Sequence, residues 1–241
     1  MDTYEDIIYE ELMIWKRKMI KQPSVGNNFS KNIQDKMNKF IPEKFHIMIT
    51  EVIKNMVKVV ILGSEYTTFE PIRYTPMIER EMLVKEKIQL YRKAATVSGA
   101  STGFGGFFIG LADFPILLSI KIKLLYEIAS IYGRDTKDYR ERLYLLYIFQ
   151  IAFCSDKRRI EVFHILDNWK AYADTLPINK ESFDWRTFQQ EYRDYIDLAK
   201  FFQLVPVVGG AVGAVANYKL VDKLGYTAMN GYRLRHFNQY F

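Results

Sequence analysis

Two charge-free apolar stretches, Ala94 to Ala112 and Phe201 to Tyr218, are punctuated by glycine and bracketed by lysine and arginine. In the first, Gly99, Gly103, Gly106 and Gly110 fall three or four apart; in the second, Gly209 and Gly213 repeat that spacing after Pro206. On a helix such glycines line one stripe without side chains, where a second backbone can approach closely. Each costs an exposed helix up to about 1 kcal/mol relative to alanine, so the pattern demands compensation. That compensation is either close packing inside a protein or entry into a bilayer, and both readings stay open because each stretch lies near the borderline for a spanning segment.

The remainder of the chain reads as helix. Between Pro42 and Leu62, Phe45, Met48, Ile49, Val52, Ile53, Met56, Val57 and Val60 recur at helical spacing, and Gly63 stands at a C-terminal cap position. Asp184 is an N-cap candidate for a helix whose one face carries Trp185, Phe188, Tyr192, Tyr195, Ile196, Ala199 and Phe202. Tyr139 to Phe153 is apolar on nearly every side, which places that helix at the centre of the fold. Turns are expected at 22–28, 63–76, 133–135 and 176–179. The expectation is an all-α, compact domain spanning 1–241, with about eight to ten helices and two glycine-rich apolar segments. With 17 Tyr, 17 Phe and 3 Trp in 241 residues, it has ample material for a core.

Charge and cysteine usage bound the setting. The lone Cys154 precludes an internal disulfide and suits a reducing compartment, and the acidic opening Asp2, Glu5, Asp6 does not suit a signal peptide. A net charge of +6 suits an anionic partner. Lys85, Lys87, Arg92 and Lys93 precede the first stretch and Lys121 and Lys123 follow it; Lys200 precedes the second, and Lys219, Lys223, Arg233 and Arg235 follow. Cations at both ends of both stretches favour an anionic membrane surface on the cytoplasmic side, contacted by shallow or re-entrant insertion. The other reading is solubilising charge around buried helices. At the N-terminus, Ile7, Ile8, Leu12, Trp15 and Met19 share a face beside Lys16, Arg17, Lys18 and Lys21, a pattern that fits either a headgroup layer or the core.

Catalytic motifs do not compete with this picture. Gly99-Ala100-Ser101-Thr102-Gly103 matches a nucleophile elbow on paper, with His164 or His236 in suitable order, but that motif requires a preceding strand where 85–95 reads as helix. No glycine run is followed by Lys-Ser/Thr, and no third glycine completes a dinucleotide fingerprint. His46, His164 and His236 lack a second ligand at short spacing, so neither metal nor cofactor is implied. Glu10 with Glu11, Glu79 with Glu81, and Asp194 with Asp197 read as solvated acids on helix faces. Aromatics follow the core period and basic residues are scattered, which argues against nucleic acid. Pro115 should kink or restart a helix, leaving Asp113 as its cap.

The run Thr102-Gly103-Phe104-Gly105-Gly106, then Gly110-Leu111-Ala112-Asp113-Phe114-Pro115, ending Ile128-Ala129-Ser130-Ile131-Tyr132-Gly133, resembles the signature region of the EcsC family. Gly63-Ser64, Tyr139 to Tyr144, Asp184 to Arg193 and Asn217-Tyr218-Lys219-Leu220 extend the resemblance across the chain. The resemblance implies a bacterial protein encoded with the ATPase and membrane subunits of an ABC transporter, which would be its partners; it supplies no catalytic residues. The reading is therefore a non-enzymatic accessory at the cytoplasmic membrane face. The alternatives are a soluble or peripheral hydrolase acting on a membrane-derived or peptide substrate, with Ser101 or Asp113 as its candidates, and a soluble adaptor whose glycine segments are buried.

Overall fold

Helices account for the secondary structure of the described residues, 3–22, 43–62, 70–103, 114–184, 186–188 and 210–238 of a computed structural model. They are α1 (Tyr4–Ile20), α2 (Glu43–Leu62), α3 (Met77–Gly103), α4 (Phe114–Ile131), α5 (Tyr139–Phe153), α6 (Asp156–Asp167), α7 (Trp169–Thr175) and α8 (Gly210–Phe237), with a 3₁₀ turn at Lys180–Ser182. There is no β-strand among them. The all-α expectation holds.

Local chemistry sets the boundaries. Thr3 opens α1 with a capping box, its Oγ1 accepting from Asp6 N at 3.2 Å while its own N–H donates to Asp6 Oδ2 at 2.8 Å. Asp138 caps α5, accepting from Arg140 N at 2.9 Å. Pro115 occupies the second position of α4, where a missing N–H costs nothing, and so restarts the helix as its sequence suggests. The 133–135 turn closes α4: Gly133 N donates to Ser130 O and Arg134 N to Ala129 O, with Gly133 at φ 77° in the left-handed region. A Cβ there would sit 2.9 Å from Ile72 O, so Gly133 is required by space as well as by conformation.

The centre of the molecule is α5, in which every residue except Arg140 is buried. Surrounding it are α2, α4, α6 and α8. Its continuous apolar surface is the reason it occupies that position. Trp15 of α1 packs edge-on against Phe163 of α6 at 5.7 Å, and Ile8 and Leu12 are buried beside it. The apolar face of α1 is therefore spent on the core, which removes the headgroup-layer alternative for Ile8, Leu12 and Trp15.

The most extensive pairing joins α3 to α8. Contacts march in opposite directions: Glu81 meets Arg233, Ile88 meets Gly225, and Arg92 meets Asp222 and the ring of Tyr218. The two long helices are thus antiparallel, and the same register brings the end of α3, with Gly99 and Gly103, to the start of α8, with Gly210 and Gly213. The glycines that demonstrably allow close approach lie elsewhere. A Cβ on Gly225 would fall 2.5 Å from Ile88 Cγ1, and one on Gly231 3.2 Å from Ile148 Cγ1. The Gly225→Ala variant should lose about 1–3 kcal/mol by overpacking against Ile88, measured by urea denaturation.

One ion pair is the polar counterpart of this seam. Arg233, 1% exposed, forms a fork onto Glu81, 0% exposed, with Nε–Oε1 at 2.6 Å and Nη2–Oε2 at 2.7 Å. Glu81 also accepts from Tyr4 at 2.7 Å, while Arg233 Nη1 donates to Glu11 at 2.8 Å. Burial alone would lower the pKa of Arg233, but the hydrogen bonds and charge of Glu81, with Glu11, raise it above its ordinary range. The reading of Glu81 as a solvated acid is corrected here: its helical period placed it on the face that α8 covers. Glu81→Ala should cost about 3–5 kcal/mol by stranding Arg233, and Glu81→Leu with Arg233→Met should recover much of that loss, read by the same denaturation curves.

Lys121 departs from its expected role as an exposed basic flank. It is 3% exposed within α4, and its ammonium donates to Leu117 O at 3.3 Å. Burial pushes its pKa down to about 8. The unfolded chain then holds more protons than the fold above that pH, so stability should rise from pH 8 towards 10. Beyond pH 10 the trend should reverse, because burial and Glu127 hold the Tyr91 phenol, and burial and Glu81 the Tyr132 phenol, well above their ordinary value of 10. Denaturation of Lys121→Met across pH 7–9.5 should show higher stability at neutral pH and a flattened rise.

Candidate functional site

Two regions of the molecule carry surface chemistry, and the antiparallel α3/α8 pair sets them at opposite ends. The first lies where α3 ends and α4 and α8 begin. Leu90, midway along α3, is 58% exposed; Ile116, near the start of α4, is 55% exposed, and Val215, near the start of α8, is 54% exposed. A groove of about 400 Å³ between α3 and α4 is lined by Leu90, Tyr91, Ala94, Ile116, Ile120 and Lys123. A second, of about 270 Å³ between α2 and α4, is lined by Val52, Met56, Val59, Pro115 and Leu118, and Ser119 borders both.

Cations flank this region. Lys93, Lys123 and Lys219 are exposed, as the sequence reading requires of basic flanks. Other flanking cations are spent within the fold: Lys87 pairs with Glu127 at 2.8 Å and Arg92 with Asp222 at 2.8 Å. Arg233 and Arg235 face away from this end altogether, bound to Glu81 and Glu141. Their count as leaflet-facing charge is corrected, because their helical positions point into the core and the opposite end.

Of the glycine-stretch residues, Gly99 and Gly103 lie in the last turns of α3, Gly213 in the first turn of α8, and Pro115 is exposed at the start of α4. Gly106, Gly110, Asp113, Gly209 and Lys200 lie outside the described residues, as does most of the helix expected after Asp184. Asp184 itself caps as expected, accepting from Thr187 N at 3.0 Å. No helix among the described residues is long and apolar enough to cross a membrane.

The second region is polar and aromatic. The rings of Tyr132 and Tyr232 stack with centroids 4.9 Å apart. Tyr232 donates to Glu141 at 2.8 Å, and Glu141 accepts from Arg235 at 2.6 Å; the Arg235 guanidinium also lies 4.6 Å over the ring of Tyr144. Burial, then Glu141, holds the Tyr232 phenol well above its ordinary pKa, so it stays a donor. Tyr132 and Tyr232 border a cleft of about 340 Å³ that also includes Arg80, Arg134, His236 and Glu5. Sequence reasoning passed over it: its residues come from α1, α3, α8 and the α4–α5 turn, and no local motif joins them.

Catalytic readings lose their geometry. Ser101 sits inside the continuous helix α3, with no strand before it, so the elbow its motif suggests is not formed. His236 lines the polar cleft beside Met77, at the other end of α3 from Ser101 by roughly 35 Å of helix. Among the described residues no group of acids, histidines or cysteine is arranged to hold a metal ion.

The comparisons with known proteins agree with one another. The chain is 45% identical over 234 residues to Protein EcsC of Bacillus subtilis (strain 168), covering 97% of this chain and 96% of that protein. It is 30% identical over 170 residues to Uncharacterized protein YdbA of the same organism, covering 70% of this chain and 62% of that protein. No solved structure matches it. The EcsC protein family model matches residues 6–237, from the first turn of α1 to the last residue of α8, and the chain belongs to the EcsC protein family.

Proposed function

We propose that this protein is a non-enzymatic accessory of a bacterial ABC transporter that attaches peripherally to the anionic, cytoplasmic face of the membrane through its glycine-bearing end. The observation that carries this reading is that exposed Leu90, Ile116 and Val215 share the C-terminal half of α3 and the adjoining N-terminal and middle turns of α4 and α8 with exposed Lys93, Lys123 and Lys219. Aliphatic side chains gain by entering the acyl boundary, and each nearby lysine adds about 1 kcal/mol on an anionic surface. Gly103 ends α3 and Gly210 begins α8 at this side of the molecule. The transporter enters this reading as the partner that the resemblance to the EcsC family implies. The hydrolase reading has no supporting geometry at Ser101; the adaptor reading differs in leaving this end covered by protein.

Flotation with vesicles of phosphatidylglycerol and phosphatidylcholine tests the surface. Wild-type protein should float at low salt and be released by high salt or alkaline carbonate. Leu90→Gln with Ile116→Gln should weaken binding roughly tenfold, the worth of two partly buried aliphatic groups. The triple change of Lys93, Lys123 and Lys219 to Gln should abolish flotation at physiological salt. Failure of the wild type to float under any condition would overturn membrane attachment, and failure to co-purify with co-expressed transporter subunits would overturn the accessory role.

A further inference from the structure

The polar cleft at the far end of α3 and α8 plays no part in membrane attachment, and its charges do not balance. Sorting them by partner shows why. Glu81 is taken up by Arg233, and Glu141 by Arg235. The hydroxyls of Tyr132 and Tyr232 donate to those same two carboxylates, so the stacked rings present a wall whose polar atoms are already engaged. Arg80 spends Nε on Thr75 O at 2.8 Å and Nη1 on Ile131 O at 2.6 Å, both neutral acceptors that orient its guanidinium without cancelling its charge.

Arg134 is the residue left over. Its Nε is buried and finds no acceptor among the described residues, and its side chain forms no ion pair with them. Burial and the nearby charge of Arg235 both disfavour its charged form, while Glu141, the closest compensating carboxylate, is committed to Arg235. Glu5, half-exposed with Oε1 3.5 Å from His236 Nε2, is the one acid lining the cleft. Two guanidiniums therefore line a space of about 340 Å³ whose one carboxylate, Glu5, already lies beside His236.

We propose that this cleft binds a small oxyanion, a phosphate or carboxylate group, gripped by Arg134 with Arg80 and His236 beside it. A guanidinium offers a planar fork matched to such groups, and an anion there would offset the uncompensated charge. The volume lies at the lower end for small-molecule sites, which suits a compact anionic metabolite rather than a polymer. Along α8 the cleft residue Tyr232 lies roughly 25 Å from Val215 and roughly 20 Å from Lys219. A free anion rather than a lipid headgroup is therefore its ligand.

Titration calorimetry with inorganic phosphate and with acetate, at constant ionic strength set by chloride, tests the site. One of these anions should bind the wild type with one-to-one stoichiometry. Arg134→Gln should weaken that binding roughly tenfold to a hundredfold, the worth of one charge-assisted contact. Arg134→Lys, which keeps the charge and loses the fork, should fall between them, and Lys123→Gln, at the other end, should bind as the wild type. Because the Arg134 side chain makes no hydrogen bond to the described residues, its variants should keep the wild-type circular dichroism and melt no lower than the wild type, which separates loss of a ligand from loss of structure. Absence of binding by both anions, or equal binding by Arg134→Gln, would overturn the proposal. So would Arg134-dependent binding seen only with phosphatidic acid vesicles, which would make the cleft a headgroup site.

Discussion

The buried pairing of Glu81 with Arg233 is the constraint on which the remaining architecture rests. Two charges taken out of water are tolerated only with close geometry and their remaining hydrogen-bonding capacity filled. Here that capacity is filled from Tyr4 and Glu11 of α1 and from Tyr132 at the end of α4. Satisfying one ion pair therefore locates four helices. A slip of α8 against α3 would strand the pair and drive Gly225 away from Ile88, replacing a close seam with a gap. Polar and apolar parts of the seam specify the same register.

From that register follows the polarity of the molecule. Because α3 and α8 run antiparallel, the arginines and tyrosines near the start of α3 and the end of α8 gather at one end, and the glycine-bearing turns gather at the other. The central α5 separates these functions in energetic terms: its apolar surface supplies the core that lets the ends carry unsatisfied chemistry. Exposed Leu90 and Ile116 at one end, and the unpartnered Arg134 Nε at the other, are local costs that such a core offsets.

Much of the fold was legible in the residues themselves. Helix boundaries announced themselves through Gly133, Pro115 and Asp184, and the uninterrupted apolar run from Tyr139 to Phe153 identified the central helix. Lys93, Lys123 and Lys219, read as basic flanks of the two stretches, are exposed. Individual charges were not. Glu81, Lys121, Arg233 and Arg235 look like the solvated residues around them, and only the arrangement of neighbouring helices shows which side of each turn is covered.

What the sequence by itself determined is therefore local and periodic: all-helical structure, its caps and turns, the central helix, the family and the positions of two glycine-rich stretches. The tertiary structure alone decided which charges are buried, that the Trp15 face belongs to the core, and that Arg80, Arg134 and His236 share one cleft. The physical reason is that capping and amphipathic period are written over a few adjacent residues, whereas burial and charge pairing depend on partners up to 222 positions away, as Arg233 is from Glu11.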